Sequence, residues 1–447
     1  AAAFSSSDPT VDAVFELGRH SALFTAQEQF VDTPTREKGP WLWDGFNESQ
    51  TAMAAFGDVN ETRKSLVEFA QSQTRYWPAG GINKIYPTSL GAVQINEFTE
   101  IYPEWVWQYW MNTGDRTLLA AVYPALSKVA DYVAHAIVPA TGLVTSLPAT
   151  SIYYAFPTVT RLNILGVDVF KRVADVAAVL GRPPAEIASR RAEQSALTDA
   201  INARLTRSDG MYVDGLDAHG AQVAQASQDT NAAAIVYGVA PPPRVAPVAA
   251  YVGGLGMQAP PRTAGEILEA LHLAGRDGDV VTRLTDKRTD GWAKILAEGA
   301  TFTWEVWNPS DANGDSMSHG WGSNVLVEIL RGVLGVWPTS PGYATFAVMP
   351  PVAGLASASG TIPTPRGAVA VAWHRPSGTA GWSLDLTVPA NSVATVTLPV
   401  ANPSALSEIS RGAHPVAGAK GIHIVRAAGG TVVLTVGAGS YQLRGRA

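Results

Sequence analysis

The chain has 447 residues, 46% of them hydrophobic and 16% charged, with a net charge of −6, so it can bury a sizeable core in two or three domains and is neither disordered nor hyper-charged. An acidic balance without a basic run argues against nucleic acid as a partner, and no uncharged apolar run approaches the roughly 18 residues of a bilayer-crossing helix, so no membrane partner is expected. The absence of cysteine removes disulfides, thiolate-bound zinc and thiol nucleophiles.

The sequence starts at Ala1 with neither Met nor a charged-then-apolar leader, which reads as a mature product, secreted with its signal peptide removed, or as a segment of a longer protein. From about residue 12 to 336 apolar residues recur at spacings of three and four between short Gly, Pro or Asp turns, and roughly a dozen helices fit. The clearest are 12–30, 61–73, 97–111, 115–136, 163–180, 184–205, 229–239, 263–274 and 321–334. From about residue 345 the period becomes two, in the runs 368–373, 382–388, 393–398, 422–425, 431–436 and 441–443, which predicts an antiparallel β module. The domains expected are therefore 1–337, helical, and 338–447, β. Many helices of similar length with short connections suit a bundle, a solenoid or a closed α/α toroid.

Tryptophan is unevenly placed. Of 13, six lie between Trp41 and Trp110 and five between Trp292 and Trp337, with none from 111 to 291. Indole supplies a flat apolar face with one donor, suited to stacking on a sugar ring or to filling a core.

Two segments concentrate chemistry. The run 31–45, VDTPTREKGPWLWDG, contains Pro34, Gly39 and Pro40 and is expected to be a loop. It would carry Asp32, Arg36, Glu37 and Asp44 on irregular backbone beside Trp41 and Trp43, the kind of position where reactive groups concentrate. The competing reading is an Asp32 cap and an exposed Arg36–Glu37 pair. The second run, GATFTWEVW (299–307), precedes Asp311, Asp315 and His319. Glu305 between Trp304 and Trp307 is expected to be partly desolvated, which suits a base, or else to be buried against an arginine. His319 reads either as a core histidine or as a donor to a substrate hydroxyl.

These motifs resemble the bacterial α-L-rhamnosidase glycoside hydrolase family. Asp32, Arg36, Glu37, Trp41 and Asp44 match its acidic signature; Trp304-Glu305-Val306-Trp307 matches its Trp-Glu-x-Trp element; Ser318-His319 and Gly322-Ser323 match the elements that follow. Weaker likeness runs through Gln228–Asn231, Gly335-Val336 and the turns at Tyr343 and Gly367. The resemblance implies a mainly α fold, an (α/α)6 barrel or six-hairpin toroid followed by a small antiparallel β-sandwich. It implies Glu37 as general acid and Glu305 as general base, with Asp32, Arg36, Trp41, Asp44, Trp304 and His319 around a carbohydrate, and neither metal nor organic cofactor. Two carboxyls of opposed protonation are what glycoside hydrolysis requires, and Asp32 and Asp44 near Glu37 would help it keep its proton.

Two departures stand out: Trp43 occupies the place of the family's usual Gly before the last Asp, and 150–157 lacks the Gly-Asp-Trp that commonly lines the pocket. The β-sandwich domains usual upstream in the family have no counterpart here, as in a trimmed or a minimal member. The expected activity is inverting, exo-acting removal of a terminal α-L-rhamnose or related deoxy-sugar. A polysaccharide lyase or other α/α-toroid carbohydrate enzyme, with Arg36, Lys38, Lys84 and Arg161 as the few cations that could neutralise a uronate, and a non-catalytic carbohydrate-binding protein are the alternatives.

Overall fold

The computed structural model describes all residues except 146–154, 352–353, 376–380, 401–402, 410–413 and 446–447. The chain opens with strand β1 (Ala3–Ser6) and helix α1 (Pro9–Thr25). The Asp8 side chain caps α1 by accepting from the Thr10 amide at 2.8 Å, and Pro9 fills the first helical position, where no amide donor is needed. There follow α2 (Leu42–Phe56), α3 (Asn60–Tyr76), α4 (Asn96–Thr113), α5 (Arg116–His135), the short ladder β2 (Ile137–Val138) and β3 (Leu143–Val144), and β4 (Thr158–Val159). Next come α6 (Thr160–Leu180), α7 (Pro184–Arg204), β5 (Gly215–Leu216), which pairs with β4, α8 (Gln228–Val236) and α9 (Pro242–Gly254). The helical part ends with α10 (Pro261–Leu273), α11 (Asp277–Thr285), α12 (Trp292–Ala297), a 3₁₀ turn at Gly320–Asn324, and α13 (Val325–Gly332).

Two kinds of helix alternate. In α4, α6 and α10 nearly every residue of the first two turns is buried, whereas α7 buries only Leu197 and Ile201. A helix buried on all sides belongs inside, and one with a single apolar stripe covers it from outside. The contacts follow that division: α2 touches α4, α4 touches α6, α6 touches α8, α8 touches α10, α10 touches α13, and α13 returns to α2. Helices α1, α3, α5, α7, α9 and α11 pack against these.

The remaining strands are β6 (Val336–Pro338), β7 (Thr345–Val348), β8 (Ser357–Ile362), β9 (Val369–His374), β10 (Trp382–Val388), β11 (Val393–Leu398), β12 (Leu406–Glu408), β13 (His414–Pro415), β14 (Ile422–Ala428), β15 (Thr431–Val436) and β16 (Gly439–Gly445). They form a seven-stranded sheet in the order β1-β8-β9-β10-β16-β12-β13 and a five-stranded sheet in the order β14-β15-β11-β7-β6. Alternate residues such as Val369, Val371 and Trp373 of β9 and Leu384 and Leu386 of β10 are buried, the period of a half-buried strand. Two expectations are corrected. The module is not purely antiparallel, because β7 and β11 run parallel. Nor do the sheets use residues after 337 alone: β1 pairs with β8 from Ala3 opposite Thr361 to Ser6 opposite Ala358, and β6 begins at Val336.

Candidate active site

Residues 31–41 do form irregular backbone, but the helix starts earlier than the sequence suggested: Leu42 to Gly45 lie in the first turn of α2. Trp41 is its extended N-cap, with φ −75° and ψ 137°, and Pro40 ends the loop. Asp44 therefore sits not on a loop but in a first helical turn, where a carboxylate complements the positive end of the helix. It is 2% exposed and accepts from His319 Nε2 at 2.8 Å. The loop is held shut by Asp32, which accepts the Gly39 amide at Oδ1 (2.8 Å) and the Gly320 amide at its carbonyl (2.8 Å). The Thr33 hydroxyl accepts from the Arg36 and Glu37 amides.

Glu305 arrives from the other end of the helical part. Its carboxylate takes two bonds from Arg36, Nη1 to Oε2 at 2.8 Å and Nη2 to Oε1 at 3.1 Å, and one from the Ser316 amide at 2.7 Å. Of the two readings of Glu305, the arginine partner is the one observed, although the carboxylate is half-buried and not enclosed. Arg36 also donates to the Gly314 carbonyl and lies 3.3 Å from Glu37 Oε1. Glu37 is the most open of the acids, its side chain 43% exposed. His319 Nδ1 is buried without a hydrogen-bond partner, 3.9 Å from Glu305 Oε2. The site thus brings together Asp32, Arg36, Glu37, Asp44, Glu305 and His319. Trp41 is half-buried, with the Lys84 ammonium 5.0 Å over its ring. Trp304 is only 7% exposed and packs in the core.

Electrostatics distinguish the carboxyls. Burial, then the charge of Asp44, pushes Asp32 up to about 7. The side-chain hydrogen bond to Glu305 leads in raising the Arg36 guanidinium above its ordinary value.

Beneath the loop lies a layer of which the sequence reading named Trp43 and Arg161 but not the pairing. Trp43 is fully buried against two guanidiniums, Arg262 at 4.3 Å and Arg161 at 5.4 Å from its ring centre. Arg161 makes a two-pronged pair with Glu266 (2.9 and 2.8 Å), and Arg262 bonds Glu97 at 3.1 Å. Glu97, Arg161 and Arg262 occupy the first turns of α4, α6 and α10, so the N-terminal ends of these inner helices converge below the loop. Glu48, one turn beyond Asp44, is fully enclosed and its proton affinity is raised, first by burial and then by Asp44 and Asp32. A Cβ on Gly320 would fall 1.8 Å from Glu48 Oε1, so only glycine fits there. Trp321 packs on His319 with ring centres 4.2 Å apart. The available signal for this layer was charge inside helices with no polar face. The departure noted at 150–157 falls largely outside the described residues. Among the described residues no helix is long and apolar enough to cross a membrane, and no group of His, Cys, Asp or Glu could hold a metal.

Paired helices followed by sheets, with acids gathered at one end of the inner helices, define a six-hairpin glycosidase architecture, and comparison with known proteins agrees. Residues 1–330 match the bacterial alpha-L-rhamnosidase 6 hairpin glycosidase domain, and 335–412 match the bacterial alpha-L-rhamnosidase C-terminal domain. The chain belongs to this bacterial alpha-L-rhamnosidase family of glycoside hydrolases. An alpha-L-rhamnosidase of Alteromonas sp. (strain LOR) is 34% identical over 136 residues, 28% of this chain and 14% of that protein; one from Formosa agariphila is 30% identical over 146 residues, 31% and 16% respectively. The solved structure of Streptomyces avermitilis alpha-L-rhamnosidase complexed with L-rhamnose superposes with a TM-score of 0.82 at 20% identity, covering 99% of this chain and 42% of that one. That of alpha-L-rhamnosidase from Dictyoglumus thermophilum gives 0.82 at 18% identity, covering 100% and 50%. The fold is shared, and the chain spans half or less of each of these relatives.

Proposed function

We propose that the protein is an inverting, exo-acting glycoside hydrolase that releases terminal α-L-rhamnose, or a closely related deoxy-sugar, with Glu37 as general acid and Glu305 as general base. The observation that carries the reading is the meeting of these two carboxyls, from opposite ends of the helical part, on one guanidinium beside the buried Asp32, Asp44 and His319. In the proposed step the Glu37 carboxyl gives its proton to the glycosidic oxygen as the bond from that oxygen to the anomeric carbon breaks. A water forms the new bond to that carbon from the opposite face and yields its proton to Glu305. Asp32, Arg36, Trp41, Asp44, Trp304 and His319 are the proposed sugar contacts. Asp44 fixes the His319 ring through Nε2 and leaves Nδ1 for a hydroxyl, while Trp41 offers the apolar face. The scheme uses neither metal nor organic cofactor.

The helical part is proposed to be an (α/α)6 barrel, which the circuit of contacts from α2 through α13 back to α2 supports. The proposed domains are 1–337 and 338–447, with β1 lent to the second. That a related alpha-L-rhamnosidase was solved with L-rhamnose supports the choice of sugar. The test is a panel of an aryl α-L-rhamnoside, an aryl glucoside and a uronate polysaccharide. Aryl release from the rhamnoside alone is expected; unsaturated product from the uronate would indicate a lyase and overturn the reading.

A further inference from the structure

The two candidate catalytic carboxyls share one cation. Arg36 Nη2 lies 3.1 Å from Glu305 Oε1 and 3.3 Å from Glu37 Oε1, while Nη1 holds Glu305 Oε2 at 2.8 Å. The two Oε1 atoms therefore flank a single nitrogen and can be no further apart than those two contacts laid end to end. The glycosidic oxygen, the anomeric carbon and the attacking water must all have access to acid and base, and the guanidinium touches both.

We propose that Arg36 is a latch on the catalytic pair: it spans Glu37 and Glu305, and an entering saccharide takes its place by breaking the two bonds to Glu305. The inference rests on the roles of Glu37 and Glu305 proposed above. Released, the planar fork of N–H donors can turn to a sugar hydroxyl. The Thr33 hydroxyl, accepting the Arg36 and Glu37 amides, keeps the backbone fixed while the side chain swings. Arg36 is faced by Asp32 and Glu37 from its own loop and by Glu305 and the Gly314 carbonyl from the segment 299–319. His319 Nδ1 stands 3.9 Å behind Glu305, with Asp44 on α2 behind His319.

The pH dependence of kcat/KM reports groups of the free protein, and that of kcat reports groups of the complex. Arg36→Gln removes the cation from an arrangement that exists only before the saccharide enters. The acid limb of kcat/KM on an aryl α-L-rhamnoside should differ from that of the wild type, while the acid limb of kcat keeps its wild-type position. Arg36→Lys, which retains the charge, should leave the kcat/KM limb near wild type. In crystals soaked with L-rhamnose, read independently of turnover, Arg36 Nη1 should lie beyond about 4 Å from Glu305, out of ion-pair contact. An unmoved kcat/KM limb in Arg36→Gln, equal movement of both limbs, or an intact Arg36–Glu305 pair in the rhamnose complex overturns the latch. Wild-type protein that binds rhamnose with the pair broken but turns over no rhamnoside overturns the hydrolase reading, and with it the catalytic meaning of the latch, while the displacement of Arg36 from Glu305 by the saccharide stands.

Discussion

Glu37 and Glu305 differ in what holds them. Glu37 stands at the solvent edge with Arg36 beside it, while Glu305 is fixed from three donors, two on Arg36 and one on the Ser316 amide. General acid–base groups are typically each worth about 10²–10⁴-fold, so Glu37→Gln and Glu305→Gln should each lose at least about 10²-fold in kcat while melting close to wild type. An aryl leaving group that needs no protonation should partly rescue Glu37→Gln. Azide should restore Glu305→Gln, giving a glycosyl azide identified by mass spectrometry; full rate in unrescued Glu305→Gln would remove it as base. These residue types and their order were legible because loops with Pro and Gly announce themselves, and the Trp-Glu-x-Trp run has no competing period. Their partners were not. Whether Glu305 meets an arginine depends on a fold that brings residue 36 to residue 305, and no local pattern encodes that approach.

Helix α2 is where element and site meet. Its first turn carries Trp43 inward and Asp44 toward His319, because residues one apart on a helix face different directions. Its start was hidden by the Gly-Pro-Trp approach, which reads as loop, whereas long helices such as α5 and α7 matched their periodicity to within a residue or two. The pairing within the buried layer escaped because Glu97, Arg161 and Arg262 meet across three helices. Trp43→Ala should therefore cost about 3–5 kcal/mol, as for a large aromatic removed from a core, and should also leave the faces of Arg161 and Arg262 uncovered; urea unfolding monitored by circular dichroism checks it. Strand β1 is a second element that the sequence did not announce, since four residues carry too little period. It closes one edge of the larger sheet and places Ala2 against the Ala55 carbonyl of α2. Removing residues 1–7 should lower the melting temperature and expose the β8 edge, with faster amide exchange along Ser357–Ile362. Unchanged exchange there would show that β1 contributes nothing to the sheet.

At the scale of the molecule, the inner helices turn positive ends toward the candidate site, and along their length a cavity of about 70 Å³ is lined by Glu104, Glu266, Glu269, Glu328 and Arg172. Burial foremost raises Glu328 to about 8 and, beside Arg172 and Glu104, Asp168 to about 7. Each holds a proton in the folded state that the unfolded chain releases near pH 4. Their contribution to stability is complete below about pH 4, declines as pH rises, and is lost through the folded values near 7 and 8. The melting temperature should accordingly fall between about pH 5.5 and 8.5, and fall less in Glu328→Gln, which needs no proton to stay neutral; an equal fall would assign the effect elsewhere. Fold class was readable from the change of period near residue 345, but the parallel β7–β11 pair and the acid-lined cavity come from tertiary arrangement alone. The central claim, that Glu37 and Glu305 work as acid and base on opposite faces of one sugar, is tested most directly by the configuration of the first-formed product. Proton NMR recorded during turnover of an α-L-rhamnoside should show β-rhamnose appearing first and α-rhamnose only later by mutarotation. Initial release of α-rhamnose would contradict the assignment and require a covalent intermediate on one of these carboxylates.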